Sequence, residues 1–243
     1  MKQTFFILTI CLILFQSLFS QMRSVPDPWK AFVSIGYGNT SADYLSEYYN
    51  LIVDAYKYSG VPLKTQTEFG PTLLANTGII FNIIERIGAG ISFGYTYSPA
   101  YTNYMDYAGT VKINGSISSY EILFKALYIP GKIGEVSFIL SPQIGASHQS
   151  VIISQEIRFK ELQQFNYDWK MSTGGWGPCI QATAGASIDL GEFFASAEGG
   201  YRYTRIQVEE QTEESTIGNK KVIQVMDIGL NGFVSLLSFG IKF

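Results

Sequence analysis

The chain has 243 residues with 17 Lys+Arg, 20 Asp+Glu and one His; 15% of it is charged and 15% aromatic. A soluble domain is about 25% charged, so charge is short here, while a 47% hydrophobic content and a net charge of -3 exclude a disordered chain. The slight acidity excludes an electrostatic nucleic-acid binder, and two cysteines exclude a disulfide scaffold.

Residues 1–20 read as a secretory signal: Lys2 supplies the positive start and Phe5–Phe15 the apolar core. That core is too short to span a bilayer. The division expected is therefore 1–20 signal peptide and 21–243 a single barrel domain. Leu18 stands three residues before the cut, where a small residue is usual. Removing 1–20 leaves 16 basic and 20 acidic residues and one cysteine, Cys179. Cys11, preceded by Ile10, lacks the small residue that a lipoprotein cut requires.

From Trp29 onward the chain alternates with period two, the strand signature. Segment 29–37 opens the series. The connection after it contains SADYLSEYYNLIVDAYKYS over 41–59, with Leu45, Tyr48, Tyr49, Ile52 and Tyr56 at helical spacing. Ser41 caps its start, and Gly60 and Pro62 stop it. The spacing predicts an amphipathic helix on the external side. It would lie over the barrel mouth or on the membrane, or offer its Tyr-rich face to a partner protein or a small apolar ligand.

Segments 73–83 and 87–98 follow. In the second, Ile87, Ala89, Ile91, Phe93, Tyr95 and Tyr97 alternate with Gly, Ser and Thr. Segment 120–128 sets Tyr120, Ile122, Phe124, Ala126 and Tyr128 against Glu121, Leu123, Lys125 and Leu127. Segment 136–146 leads to His148-Gln149-Ser150. Segments 180–190 and 193–203 follow, and the second carries Glu198 and Arg202 on its small, polar face. The acidic run Glu209, Glu210, Glu213 and Glu214 precedes Gly218-Asn219. This reads as a protruding hairpin with a solvated tip; divalent-cation binding is the sharper reading of the same run. Segment 226–243 closes the chain, with a parity slip expected near Gly232.

Eight strands result, with short turns near 84–86, 131–134 and 191–192 and long connections at 39–68, 99–115, 150–175 and 206–224. Short turns on one rim and long loops on the other are the pattern of outer-membrane barrels. Tyr95, Tyr97, Tyr201 and Tyr203 fall toward the loop side; Trp29, Tyr128 and Phe193 fall toward the turn side, as interface girdles should. The fold expected is all-β: an eight-stranded antiparallel up-and-down transmembrane barrel with one amphipathic helix in the first external loop. A soluble sandwich also alternates, but it shows more charge on its water-facing side.

An eight-stranded interior is just filled by side chains, which argues against an open porin. Glu121, Lys125, Glu198 and Arg202 lie on the lumen face. Unpaired charges are costly there, so they are expected to pair across the lumen as a plug, with a gated polar path as the alternative. Glu121 and Lys125 are about 13 Å apart along one strand, so each needs a partner elsewhere.

The chain ends LLSFGIKF, with Leu237, Phe239, Ile241 and Phe243 on one face. This resembles the C-terminal targeting signature of Gram-negative outer-membrane barrels, a terminal aromatic on an amphipathic last strand. The pattern over 29–243 resembles the small eight-stranded group of outer membrane proteins X, W and A. The resemblance implies export to the outer membrane of a Gram-negative bacterium. It implies contact with outer-membrane lipid and lipopolysaccharide, and recognition by the barrel-assembly machinery through the last strand. The family spans adhesins, structural barrels, channels for small apolar compounds and lipid A-modifying enzymes. A structural or surface-interaction role through the long external loops is expected. A narrow channel for small apolar molecules is the first alternative and a lipid A-modifying enzyme the second. For the enzyme, His148 and Ser150 share a face as in a lipid A deacylase, but Val151 replaces that family's Asn and no acidic partner is identifiable. No phosphate loop, G-x-S-x-G or H-E-x-x-H occurs. No catalytic residue, cofactor or metal is therefore expected, and Cys179 reads as a strand residue.

Overall fold

The computed structural model describes residues 28–58, 60–63, 69–216 and 218–243, without the side chains of Thr40, Asp43, Tyr44, Glu209, Glu210 and 219–226. The expected signal peptide, 1–20, lies outside the described residues.

The elements run β1 (Trp29–Ser41), α1 (Asp43–Tyr58), β2 (Thr72–Ile84), β3 (Ile87–Met105), β4 (Gly109–Ile133) and β5 (Val136–Phe159). A single 3-10 turn (Gln163–Phe165) then precedes β6 (Tyr167–Leu190), β7 (Phe193–Thr204), β8 (Ile206–Ser215), β9 (Gly218–Ile228) and β10 (Asn231–Lys242). Neighbouring strands are antiparallel. The ring passes from β1 through β6 in sequence, then to β7 and β10, and closes where β10 pairs with β1. Eight strands thus form an up-and-down barrel, and β8–β9 is a hairpin that continues β7 and β10 beyond its rim.

Strand length shows where the barrel ends. A membrane-crossing strand needs about 9–11 residues. β1, β2, β7 and β10 have 13, 13, 12 and 12. β3, β4, β5 and β6 have 19, 25, 24 and 24, so about half of each projects past the loop-side rim. This corrects the reading of 99–115, 150–175 and 206–224 as long loops. Pairing continues to Met105↔Thr110, Ile157↔Tyr167 and Ser215↔Gly218. Backbone groups outside the barrel still need partners, and extending the ladders supplies them. On the other rim the turns are two residues each. The middle one lies at Gly134–Glu135, not 131–134, because β4 carries a bulge between Tyr128 and Gly131 and then pairs on to Ile133. Gly134 and Gly191 have φ of 61° and 81°, the left-handed backbone that tight hairpin turns require.

The first connection is the one that folds back. β1 and β2 stop near the rim, which leaves the projecting sheet of β3, β4, β5, β6, β8 and β9 open on their side. Helix α1 fills its hollow. Leu45, Tyr49 and Val53 are buried among Ile113, Ile117, Val151, Ile153, Met171, Ile206, Val208, Ile228 and Leu230. The Tyr49 hydroxyl donates to the Ile113 carbonyl at 2.9 Å. Gly60 (φ 84°) ends the helix, with its N–H on Lys57 O and that of Val61 on Tyr56 O. The return path is pinned where Ser98 Oγ donates to Gly70 O at 2.9 Å.

The parity slip expected near Gly232 is absent. Burial alternates without interruption from Ile228 to Ile241, even positions inside and odd positions outside. The apolar residues change sides, not the strand. Ile228 and Leu230 face the dry core under the helix, whereas Phe233, Leu237 and Phe239 face out.

Candidate functional site: wall, lumen and plug

On the barrel proper the outward positions are apolar and uncovered. Val33 is 60% exposed, Phe124 66%, Ile144 60% and Phe239 51%, and no described charged side chain interrupts this band. Trp29 pairs in register with Phe81, and Phe193 stacks on Phe239, on the turn side. On the loop side Tyr95 meets Tyr120 at 5.1 Å and Tyr201 meets Phe233 at 5.6 Å. Tyr97, Tyr203 and Tyr128 also point outward. An apolar belt between two aromatic girdles is the outer surface of a barrel whose solvent is lipid. Leu237, Phe239, Ile241 and Phe243 all lie on that belt. No described helix is long and apolar enough to cross a membrane; the strands do the crossing.

Inside, the four lumen charges form two pairs between β4 and β7. Lys125 Nζ lies 3.4 Å from Glu198 Oε1, and Arg202 is paired with Glu121. Arg202 is completely buried, and Glu121, Lys125 and Glu198 are between 3% and 6% exposed. Neutral groups join the set, although Arg202 Nε has no hydrogen-bond partner. Arg202 donates to Thr96 Oγ1 at 2.6 Å, Thr96 donates on to Glu121 Oε1 at 2.8 Å, and Thr183 donates to Glu198 Oε2 at 2.6 Å. Lys125 also sits 4.9 Å from the Phe32 ring centre, a cation–π contact. The lumen is crowded: a Cβ at Gly94 would lie 2.6 Å from Asn76 Oδ1 and 3.3 Å from Glu121 Oε2. Below the pairs, toward the turn end, Phe32, Ile80, Leu127, Ile139 and Phe194 form an apolar cluster that lines a cavity between the Lys125/Glu198 pair and the mouth. Above them Gln149 bonds Thr204 at 2.7 Å, and then the helix core begins.

Of the helix face read from sequence, Leu45 and Tyr49 are only 1% exposed and so are covered by the barrel. Burial pushes the Tyr49 phenol up to about 12, against a smaller opposing effect of the Thr102 backbone. Tyr48, Ile52 and Tyr56 are half-buried at the edge of that core. With Leu51, Ala55 and Gln155 they line an open cleft of about 450 Å³ between α1 and β5. Tyr56 is hydrogen-bonded to Gln155, and burial raises its pKa as well.

His148 and Ser150 share a strand face as expected, but the His148 ring packs edge-on against Trp176 at 5.2 Å. Among the described residues no hydrogen bond joins His148 to Ser150 or to a carboxylate. Cys179 is buried as a free thiol. The β8–β9 hairpin sets Glu213 opposite Lys220 and Glu214 opposite Asn219; the side chains of Glu209 and Glu210 lie outside the description. Among the described residues no three His, Cys, Asp or Glu gather as metal ligands.

At the outermost tips, Asp106 Oδ1 accepts the amides of Ala108 and Gly109 at 2.8 and 2.9 Å. These bonds hold its carboxyl below the ordinary Asp range. Lys160 on the next hairpin donates to Asp106 O at 2.8 Å. Arg158 bridges Asp168 at 2.7 Å and Glu156 at 3.2 Å. Sequence reasoning missed the apolar inner lining of the projecting strands. Its signal was there: Val111, Ile113 and Ile117 are apolar at odd positions, where Ser119, Glu121 and Lys125 are polar.

The fold and this interior together define a small membrane barrel with a paired, filled lumen and a helical plug. It resembles the small outer-membrane barrels of Gram-negative bacteria. Ail, the attachment invasion locus protein of Yersinia pestis, is 14% identical with a TM-score of 0.40, over 88% of this chain and 98% of that one. A major outer membrane protein of Thermus thermophilus is 13% identical with a TM-score of 0.45, over 88% and 99%. OprG of Pseudomonas aeruginosa is 12% identical with a TM-score of 0.43, over 88% and 95%. No protein-family model and no curated protein matches the chain. At these identities and scores none of the three lends this chain an activity.

Proposed function

We propose that the chain is an outer-membrane barrel that presents a rigid projection at the cell surface, with a structural or interactive role. One observation carries this reading: the strands run far past the lipid belt and are packed solid there. From Tyr97 to Met105, β3 projects roughly 25 Å beyond the loop-side girdle. Its hollow is filled by α1, so the projection is a folded body and not a set of loops. The lumen below is crossed by two buried ion pairs and topped by the helix core, which opposes an axial path. Outer-membrane lipid, lipopolysaccharide and the barrel-assembly machinery, acting through Leu237, Phe239, Ile241 and Phe243, are the partners this reading implies, supported by the outward apolar face of the last strand. A protein partner at the tips is the ligand it suggests.

The small-apolar-ligand reading is supported by one feature, the Tyr48–Ile52–Tyr56 cleft. Such a ligand would be held beside the barrel, not passed through it. Binding assays on whole cells test the main reading. Replacing the tip 103–112 with a Gly-Ser linker should abolish surface attachment while leaving the barrel folded; attachment unchanged by that replacement would remove the projection as the interaction site.

A further inference from the structure

We propose that the turn-side mouth of the barrel is a binding site for a phosphate-class oxyanion. The mouth opens into a cavity of about 440 Å³. Four cations line it: Lys30, Arg86, Lys132 and Lys242. Two carboxylates, Glu85 and Asp189, line it with them. Asp189 is already taken by Lys242 at 2.5 Å and also caps the Gly191 amide. Among the described residues no carboxylate lies within ion-pair reach of Lys30, Arg86 or Lys132.

Lys30 is the anomaly. It points inward from β1 and is half-buried; the Phe194 ring lies 5.6 Å from its ammonium, and Asp189, the carboxylate whose charge reaches it, is already bonded to Lys242. Elsewhere in this lumen every buried charge has an opposite charge beside it. A partly desolvated cation with no ion pair of its own, beside more cations than carboxylates, is costly, and an anion seated in the cavity offsets that cost. Besides Lys242, two lysines and an arginine line the cavity without an ion pair, with Ser137 on the same lining. Multiple donors of that kind match an oxyanion with two or more charges better than a single carboxylate. The source is either a free phosphate compound in the compartment below or the headgroup of an anionic lipid in the adjoining leaflet. The site deepens the membrane-barrel reading, and rests on it, because that reading sets what the mouth faces.

The test is calorimetric titration of pyrophosphate into the full barrel in zwitterionic micelles at low salt. Lys30→Gln and Lys132→Gln are each expected to weaken binding at least tenfold. Lys160→Gln, at the opposite end of the molecule, is expected to leave it unchanged. Absence of binding, or equal binding in Lys30→Gln and Lys160→Gln, overturns the site. Nanodiscs identify the source. A tenfold loss of pyrophosphate affinity on adding phosphatidylglycerol to phosphatidylcholine discs marks the headgroup as occupant; unchanged affinity marks free phosphate. Each variant is first checked for heat-modifiable gel migration. A folded barrel that binds no anion sinks the site alone, whereas migration unaffected by boiling sinks the barrel reading itself.

Discussion

Glu121 and Arg202 are a pair whose members cannot be removed singly without leaving a charge in a closed space. Glu121→Gln leaves the fully buried Arg202 guanidinium unpaired and is expected to cost about 3 kcal/mol of stability. Replacing both, as Glu121→Leu with Arg202→Met, should recover most of it, because the pair's own net contribution is small. Urea unfolding in lipid vesicles measures both; equal midpoints for the single and double variants would refute the pairing. The Asp106 carboxyl gives a pH test outside the membrane. Its folded pKa is lowered, so its contribution is fully present above the ordinary Asp value of 3.8 and fades as pH falls through the lowered one. A carbon-detected carboxyl titration should place its midpoint below 3.8, and a midpoint at or above that value would contradict the double amide cap.

Helix α1 shows how one element takes its meaning from its surroundings. Its apolar face was legible in the spacing of Leu45, Tyr49 and Ile52. What that face meets was not, because a helix on a membrane, at an interface or in a core carries the same stripe. The structure supplies Ile113, Ile153 and Met171 as the answer. Leu45→Ala should therefore cost about 2–5 kcal/mol, as a core truncation does. Deleting 43–58 should keep heat-modifiable migration but raise binding of an apolar dye, since the strand lining would be bared; no rise in dye fluorescence would mean the hollow is filled by something else. The strands behave likewise. On β4, Tyr120, Ile122 and Phe124 are apolar at even positions, and Ile113 and Ile117 at odd ones. The strand does not slip between Ile113 and Phe124. Below the rim the apolar solvent is outside, as lipid; above it the apolar volume is inside, as the helix core. The same inversion at Leu230 and Phe233 gave the false impression of a slip near Gly232.

At the scale of the whole molecule the three tryptophans report the boundary. Trp29 and Trp176 point outward at opposite girdles, and Trp169 packs against the core of the projection. Brominated lipid should quench the first two and spare Trp169, as single-tryptophan variants would show; quenching of Trp169 would bring the lipid boundary up the projection and undo its assignment to water. Planar-bilayer recordings should show no sustained conductance from a lumen crossed by two buried ion pairs and topped by the helix core.

The sequence by itself determined the eight crossing strands, the two girdles, the short-turn rim, the outward last-strand face and the helix. Each of these follows from local periodicity, and periodicity is written residue by residue. It also marked the four lumen charges, because a charge on a face of Gly, Ser and Thr stands out. Only the tertiary structure decided that Glu121 takes Arg202 while Lys125 takes Glu198. The same holds for the loops that are ladders, the helix that goes inward, and Lys30, which forms no ion pair because Asp189 takes Lys242. Those outcomes depend on which strands stand opposite across a closed ring and on how far each ladder continues. Closure is a property of all eight strands together, and no single stretch of the chain carries it.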